Sequence, residues 1–475
     1  AIAYFLALRA LVTLVAPPVL DEPYYWLWGR HLALSYYDHP PLQGWIQGLS
    51  YVLFGRSAFA LRWPTWVALA VELWIFHHVA VRLAGDKARL VFLRSTAVFL
   101  ASPLFGFFCG LAFLDYLLVS LVMASGYCFI VFFTEVEKGR AGSSLVLFGA
   151  AALLGLAVLT KYNAVLFGLA VAGSVLLRPK LRRLLLDWRL WAAAGLAVAM
   201  QAPVLVWNLQ NGFESFLYQA GSRHGTAGLS GINVGRMKEL VLGYGLIVTS
   251  PFIVPPIIRF FWARQSDPFE RVGKTLAIWL FWLSTGLLLA LSNVSWIMIW
   301  WNSIAFALIF PFLGRYTRPI TLGLHVAYGL VINTFTSITY SIVPVLLLFG
   351  IPPGMETESM YGWPAIAERV LELKAEYGAD FVAMNYAQNA SELAYALDDP
   401  DVLAITPQRN SFDDWTDEAR FLGKTAIFVA NVDAGEEWRM SFARVEEIDV
   451  LPAEVFGHRL REYGVYLARD FRGMQ

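Results

Sequence analysis

The sequence predicts a polytopic α-helical membrane protein, with about eleven transmembrane helices followed by a small C-terminal extracytoplasmic α/β domain. Of its 475 residues, 58% are hydrophobic and 15% are charged, a composition outside the range of soluble globular domains. The formal net charge is zero, so the chain lacks the basic field that recruits nucleic acid, and we expect no nucleic-acid partner. Cys109 and Cys128 lie inside apolar runs without metal or disulfide spacing, and we interpret them as packing residues.

The apolar residues form runs of the length that a membrane helix needs, because a bilayer core about 30 Å thick is crossed by roughly 20 of them. The first run has no charged leader and no small-residue cleavage site, which favours a membrane helix over a signal peptide. We expect a few further residues to precede it. The runs lie at residues 2–20, 62–82, 90–108, 113–133, 144–160, 162–178, 190–207, 239–260, 275–293, 296–313 and 320–349.

Basic residues collect in alternate connections between these runs, and by the positive-inside rule those connections face the cytoplasm. The first long connection, 21–61, then lies outside. We predict a transmembrane domain at 1–350 and a soluble extracytoplasmic domain at 351–475. The basic residues concerned are Arg82, Lys87, Arg89, Arg94, Lys138, Arg140, Arg178, Lys180, Arg182, Arg183, Arg189, Arg259, Arg264, Arg271, Lys274, Arg315 and Arg318.

The part of the chain after residue 350 has a different pattern, with charged residues throughout and apolar residues in short alternating groups. Such a pattern indicates a small α/β domain. We predict helices at 363–377 and near 391–397, and strands at 381–384, 402–405, 425–430 and 464–469.

Acidic and aromatic residues stand together in the first external loop. Asp21 and Glu22 follow the first apolar run directly, and Tyr37, Asp38 and His39 come later in the loop. Charged groups at a membrane exit are costly unless they act in a site. The alternative is that the aromatics form an interfacial belt and that Asp21 caps a short helix lying along the membrane.

Two more charged residues interrupt apolar runs on the predicted external side. Asp115 could meet Asp21 and Glu22 there, or it could be a helix cap or a hydrogen-bonded buried acid. Lys161 breaks the charge rule, and a cation at this position needs an anionic partner such as a lipid phosphate. Snorkelling of Lys161 to phospholipid headgroups is the alternative.

The next external loop adds polar groups, from Asn208 to the pair Arg223 and His224. Arg223 would supply a forked donor for a phosphate or a sugar carboxylate, which a lysine cannot mimic. Acids, a lysine and an arginine on the outer face of a helical bundle suit glycosyl transfer from a lipid phosphate. A carboxylate would deprotonate the acceptor hydroxyl, and the cations would stabilise the leaving phosphate.

A multi-pass lipid or solute transporter, or a flippase, is the alternative function, because such proteins also have many helices and buried charges. A transporter would place its ionisable groups near the middle of the membrane, on related halves. The acids and Lys161 instead cluster at one predicted face, and no similarity between halves is visible. The sequence also lacks a Walker motif, GxGxxG and HExxH, which excludes the sites that those motifs build.

At these residues the chain resembles the bacterial membrane glycosyltransferases of the GT-C superfamily, in the broad group that includes protein O-mannosyltransferases and the aminoarabinose transferase that modifies lipid A. The resemblance covers nearly the whole chain. It departs from the family at Leu114-Asp115-Tyr116, where many relatives have Pro-Asp followed by a small residue. It is carried by Asp21-Glu22, Tyr37-Asp38-His39-Pro40-Pro41, Phe113-Leu114-Asp115, Leu159-Thr160-Lys161-Tyr162, Trp207-Asn208, Ser215-Phe216 and Gly362-Trp363-Pro364.

The resemblance implies a GT-C-like fold and an inverting transfer from a polyprenyl-phosphate-linked sugar donor. The acceptor would be lipid A, a core sugar, another glycolipid or a protein hydroxyl, on the external face of the bacterial inner membrane. Asp21 would be the catalytic base, with Glu22 beside it and Asp115 as a second acid. Some relatives hold a divalent cation near this cluster, so the resemblance leaves room for a metal ion at Asp21, Glu22 and Asp115.

The resemblance also implies which residues bind the two substrates. The donor phosphate would be held by Lys161, Arg223 and His224. The remaining expected substrate-binding residues are Tyr37, Asp38, His39, Tyr162 and Asn208.

Overall fold

A computed structural model describes residues 1–221, 233–248, 250–293 and 295–474 of the chain. Two predicted site residues, Arg223 and His224, lie outside these ranges. The chain divides into two units. The first comprises Ala1–Ala10, Leu34–Gln43 and Arg62–Thr334, and the second comprises Leu11–Ala33, Gly44–Leu61 and Phe335–Gln475.

Helices dominate the described chain, and five strands occur in its C-terminal part. The helices are α1 (Ile2–Val15), α2 (Glu22–Arg30), α3 (Leu42–Phe54), α4 (Ala58–Ala84), α5 (Ala88–Ala101), α6 (Pro103–Gly106), α7 (Leu114–Glu137), α8 (Ser144–Thr160), α9 (Val165–Leu177), α10 (Trp188–Ala199), α11 (Ala202–Gln210), α12 (Glu214–Ala220), α13 (Val234–Gly243), α14 (Ser250–Trp262), α15 (Pro268–Leu291), α16 (Ser303–Ala307), α17 (Phe310–Tyr316), α18 (Pro319–Ser341), α19 (Met355–Glu358), α20 (Trp363–Tyr377), α21 (Ala387–Leu397) and α22 (Phe412–Trp415). The strands are β1 (Phe381–Met384), β2 (Leu403–Ala404), β3 (Ala426–Asn431), β4 (Phe442–Val455) and β5 (His458–Phe471).

Several helices are suited to a membrane. In the described part of the chain, two pairs of helices, α10 with α11 and α13 with α14, are long and apolar enough to cross a membrane only if each bent pair is counted as one span. Length and composition therefore support four spans, or up to six with the bent pairs, and the count of eleven stays a prediction. The four stretches that are long and apolar enough by themselves are Ala58–Ala101, Leu114–Glu137, Pro268–Leu291 and Pro319–Ser341.

The apolar runs predict helix positions well, although some runs, such as 190–207 and 239–260, are divided between two helices. The run 144–160 coincides with α8, but the run 296–313 forms a short 3₁₀ helix followed by α16 and α17 instead of one helix. Pro311 explains this break, because proline lacks an amide hydrogen and its ring clashes with the carbonyl four residues earlier. That earlier residue is Ala307, where α16 ends.

Arginines predicted to face the cytoplasm are paired with acids at helix ends of the first unit. Glu137, which ends α7, is contacted by Arg178 at 2.6 Å and by Arg271 at 3.0 Å. Glu270 accepts a hydrogen bond from Arg315 at 2.7 Å. These contacts join the C-terminal ends of α7, α9 and α17 to the start of α15. The direction of α15 is therefore opposite to that of α7, α9 and α17, and the membrane topology stays a prediction.

The second unit contains a five-stranded mixed sheet in the order β2-β1-β3-β5-β4. β1 is parallel to β2 and β3, whereas β5 is antiparallel to β3 and β4. The predicted helix 363–377 and strand 381–384 are confirmed with these bounds. The second predicted helix begins earlier, at Ala387, and the last predicted strand is only part of β5.

The sequence analysis missed β4, which is one of the two edge strands of this sheet. Most of its side chains are exposed or half-buried, and it carries Arg444, Glu446 and Asp449. An edge strand that faces solvent lacks the apolar alternation from which a half-buried strand is recognised.

Helix α2, and α3 from Gly44 onward, lie in the predicted first external loop and belong to this second unit. They cross closely at two glycines, since a Cβ on Gly29 would lie 2.5 Å from the Gly48 amide nitrogen. The ring of Trp26 meets that of Tyr395 on α21 edge-on, with centroids 5.3 Å apart. The part of the second unit from Trp363 to Phe471, which contains the five strands, is called the sheet domain below. The segment that begins with the predicted catalytic acids therefore packs on a helix of the sheet domain.

Candidate active site

The turn before α2 places the first two predicted acids. Leu20 has a φ of 50°, a conformation that is rare for a branched side chain. The Glu22 amide donates to the Val19 carbonyl at 3.0 Å, and Glu22 Oε2 accepts from the Val19 amide at 2.9 Å. Glu22 is fully buried. Its carboxylate therefore stabilises the backbone that presents Asp21.

The Asp21 side chain does not cap α2. Asp21 occupies the N-cap position with helical φ and ψ of −83° and −4°, and it makes no capping hydrogen bond. Its Oδ1 accepts a hydrogen bond from Gln388 Nε2 at 3.1 Å. Tyr25, Trp26 and Trp28 of the same helix are buried inside the protein. The alternative that the Asp21 side chain caps α2 is therefore wrong, whereas an interfacial belt formed by the other aromatics stays a prediction.

Asp115 and Lys161 form a buried ion pair in the first unit. Lys161 Nζ lies 3.2 Å and 3.1 Å from the two carboxylate oxygens of Asp115, and Ser303 Oγ donates to Asp115 Oδ1 at 2.8 Å. Lys161 is 7% exposed and Asp115 is 3% exposed. Snorkelling of Lys161 to lipid headgroups is therefore wrong, because its ammonium group contacts an acid of the protein.

Three elements bring this pair together. Asp115 lies in the first turn of α7, and Ser303 begins α16. Lys161 ends α8 with an extended backbone, φ −156° and ψ 131°. A buried ion pair roughly balances its desolvation cost only while both partners remain. A phosphate oxygen could share the Lys161 donors with Asp115, since a charge-assisted bond to phosphate is of comparable strength.

Of the other predicted site residues, Asn208 lies in α11, and Tyr162 contacts α12. The hydroxyl groups of Tyr162 and Ser215 are 2.9 Å apart. Asn208 Nδ2 donates to the Val204 carbonyl at 2.9 Å, and its Oδ1 accepts from the Phe216 amide at 3.2 Å. Asn208 thus joins the end of α11 to the start of α12.

The segment Leu34–Gln43 carries the three other predicted residues and contacts α12. The rings of Tyr37 and Tyr218 are 4.7 Å apart, and Gln219 Nε2 donates to the carbonyl oxygen of Asp38. The His39 carbonyl accepts from the Tyr36 amide at 3.1 Å. The structure therefore places Tyr37, Asp38 and His39 on a loop that contacts α12 and is closed by its own backbone hydrogen bond.

Sequence reasoning missed Gln43, which connects this loop to the helix of Asp115. Its side chain is fully buried. Gln43 Nε2 donates to the Ala112 carbonyl at 2.7 Å, and the Tyr116 hydroxyl donates to Gln43 Oε1 at 3.1 Å. Because Ala112 and Tyr116 lie on either side of Asp115, this one amide holds the start of α7. Its only sequence signal is a polar residue at the start of an apolar helix.

Arg9 of α1 supports the same segment and was also missed. It is buried at 3% exposure, and its Nη2 donates to the carbonyls of Thr65 and Cys109 at 2.8 Å and 2.7 Å. Irregular backbone at membrane depth needs such partners. The non-helical approach to Asp115 is therefore fixed by side chains from distant parts of the chain.

We expect Gln43→Leu to lower the free energy of unfolding by about 2–4 kcal/mol, because two buried polar groups, at Ala112 and Tyr116, lose their partner. Tyr116→Phe is the matched control, since it leaves only the Gln43 oxygen unpaired. Thermal unfolding of the purified protein in detergent would measure both. Equal losses for the two variants would contradict the assigned role of Gln43.

Among the described residues, no three His, Cys, Asp or Glu side chains are grouped so that they could hold a metal ion. The Glu22 carboxylate is in addition engaged with the backbone of Val19. The metal ion expected at Asp21, Glu22 and Asp115 stays a prediction, and no step of the reaction is assigned to one.

Comparisons with known proteins agree with the resemblance seen in the sequence. A family model described as dolichyl-phosphate-mannose-protein mannosyltransferase matches residues 38–207. The lipid A galacturonosyltransferase RgtD of Rhizobium johnstonii is 25% identical over 413 residues, which cover 80% of this chain and 78% of that protein.

Two solved structures share the fold. Apo ArnT from Cupriavidus metallidurans superimposes with a TM-score of 0.65 at 15% identity, covering 98% of this chain and 96% of that chain. ArnT bound to undecaprenyl phosphate gives 0.63 at 16% identity, covering 98% and 97%. The ArnT structures thus show the fold of this chain, and the sequence matches make it similar to the GT-C glycosyltransferases that its sequence resembles; together they indicate an enzyme that uses a lipid-linked sugar donor.

Proposed function

We propose that the enzyme transfers a sugar from a polyprenyl-phosphate donor to a hydroxyl of an envelope glycolipid, on the external face of the bacterial inner membrane. The observation that carries this proposal is the buried Lys161 ammonium beside Asp115 and Ser303. A cation held out of water is a strong partner for a phosphate oxygen. The relative that acts on lipid A and the ArnT structure bound to undecaprenyl phosphate support the lipid chemistry.

The proposed reaction is a single displacement. Asp21 accepts the proton of the acceptor hydroxyl while that oxygen forms a bond to the anomeric carbon of the donor. The bond between this carbon and the phosphate oxygen breaks in the same step, so the configuration inverts and the electron pair leaves with the polyprenyl phosphate. Lys161, Arg223 and His224 stabilise the charge that develops on the departing phosphate.

The predicted substrate-binding residues differ in exposure, and we assign their roles accordingly. Tyr37, Asp38 and Tyr162 are half-buried, so their side chains can contact a sugar. His39 and Asn208 are buried, and they shape the loops that carry the others.

The membrane arrangement is also part of this proposal. Eleven spans within 1–350, with the N-terminus in the cytoplasm, would place the loop 21–61 and the domain 351–475 in the periplasm. The ion pairs of Glu137 and Glu270 support this arrangement, because they gather basic helix ends on one side of the first unit.

Cysteines introduced singly at the exposed positions Asp86 and Gln408 would test the membrane arrangement. We expect only the second to react with a membrane-impermeant maleimide in intact spheroplasts.

Reconstitution tests the proposed reaction. The purified protein in liposomes would receive a panel of undecaprenyl-phosphate sugars together with lipid A, and a Ser/Thr-rich peptide would serve as the alternative acceptor. We expect mass spectrometry to find a glycosylated lipid A and an equal amount of released undecaprenyl phosphate. Transfer to the peptide instead would favour a protein acceptor. Movement of lipid across the bilayer without any glycosylated product would contradict the proposal.

A further inference from the structure

A side chain of the sheet domain donates a hydrogen bond to the Asp21 carboxylate. Gln388 is the second residue of α21, and its Nε2 donates to Asp21 Oδ1 at 3.1 Å. The Tyr386 hydroxyl donates to Gln388 Oε1 at 3.0 Å. Since an ionised carboxylate only accepts hydrogen bonds, the amide must present its nitrogen to Asp21. Both ends of the Gln388 amide are therefore engaged, and its orientation is defined.

The helix that carries Gln388 is held at its other end as well. The Arg56 guanidinium donates to the carbonyls of Tyr395 and Ala396 at 2.6 Å and 2.9 Å, which satisfies the last turn of α21. His31 Nε2 lies 3.1 Å from the Pro400 carbonyl. Burial lowers the pKa of His31, and because a carbonyl oxygen only accepts hydrogen bonds, this ring nitrogen is the donor. Contacts from α2, α3 and their flanking residues thus fix α21 beside Asp21.

The turn before α2 leaves the Asp21 carboxylate available for this contact. Glu22 supplies the hydrogen bond to the backbone of Val19, and Asp21 makes no capping bond to its own helix. A non-glycine residue with positive φ, here Leu20, is the type of backbone strain that persists where the surroundings hold it, often at functional sites.

We propose that Gln388 is a positioning residue for the Asp21 carboxylate, so that the sheet domain takes part in catalysis. This inference rests on the proposed role of Asp21 as the base. The amide donor favours the ionised carboxylate and restricts its rotation, which keeps an oxygen oriented toward the acceptor hydroxyl. Gln388 is itself exposed, so substrate can approach the pair without displacing the protein core.

Steady-state kinetics of the purified enzyme test this role. For Gln388→Ala we expect kcat to fall about tenfold, the loss typical of one hydrogen bond to a charged group, while KM for donor and acceptor changes less than about twofold. For Gln388→Glu we expect a larger fall, on the order of 100-fold, because a second carboxylate beside Asp21 disfavours its ionised form. Gln408→Ala and Gln408→Glu are the matched controls, since Gln408 is an exposed glutamine of the same domain, and both should keep the normal kcat.

The outcomes separate this inference from the proposed function. Normal kcat in both Gln388 variants, with Asp21→Asn inactive, would overturn the positioning role and leave the base intact. A rise in KM at normal kcat would also overturn it, because it indicates binding instead of positioning. Normal sugar transfer by Asp21→Asn would instead contradict the proposed function, because it would show that Asp21 is not the base. An unchanged thermal midpoint in the Gln388 variants would show that the loss of kcat is not a loss of fold.

Discussion

Asp21→Asn is expected to lower the rate of sugar transfer by at least about 100-fold, since a positioned general base contributes roughly 10²–10⁴-fold. Asparagine has nearly the same shape as aspartate, and its Oδ1 can still accept the hydrogen bond from Gln388 Nε2. The carboxylate that we propose as the base is lost, while the contacts of the turn, which are made by Glu22 and Val19, are kept. We therefore expect transfer to disappear without a loss of fold.

The measurement is the initial rate of glycolipid formation in liposomes, together with thermal unfolding in detergent. Asp86→Asn is the matched control, because Asp86 is exposed and lies between α4 and α5. It removes the same charge and should leave the rate unchanged. Normal turnover in Asp21→Asn would rule out Asp21 as the base.

The second large effect is expected at the buried ion pair. Lys161→Met leaves the Asp115 carboxylate buried without its ammonium partner, which typically costs about 3–5 kcal/mol of stability. The double variant Lys161→Met with Asp115→Asn removes both charges, and replacing a whole buried pair is often nearly neutral. We expect the double variant to recover most of the lost stability.

Activity should not follow stability in this series. The proposed phosphate-binding cation is absent from both variants, so both should use the donor poorly, with KM for the donor raised more than KM for the acceptor. Thermal unfolding and two-substrate kinetics on the same preparations would show this. A double variant that is stable and transfers sugar at the normal rate would contradict the phosphate role of Lys161 and leave the pair as a structural contact.

Much of this protein could be predicted from local patterns. An apolar run such as 144–160 predicts its own helix, because a helix satisfies its backbone hydrogen bonds internally, as a membrane requires. The sheet domain was recognised from apolar alternation, and 363–377 and 381–384 were predicted with the observed bounds. The run 296–313 was predicted as one helix, although Pro311 within it indicates a helix break. The structure has that break between α16 and α17.

The sequence by itself therefore determined the membrane-type helices, the C-terminal sheet domain and the set of acids and cations that carry the family resemblance. The tertiary structure decided how those groups are used. It pairs Lys161 with Asp115 and hydrogen-bonds the Glu22 carboxylate to the Val19 amide. It also shows that Gln43 contacts the residues around Asp115 and that Gln388 contacts Asp21. Periodicity reports only neighbours along one element, whereas Gln43 and Ala112, or Asp21 and Gln388, meet because distant helices pack together.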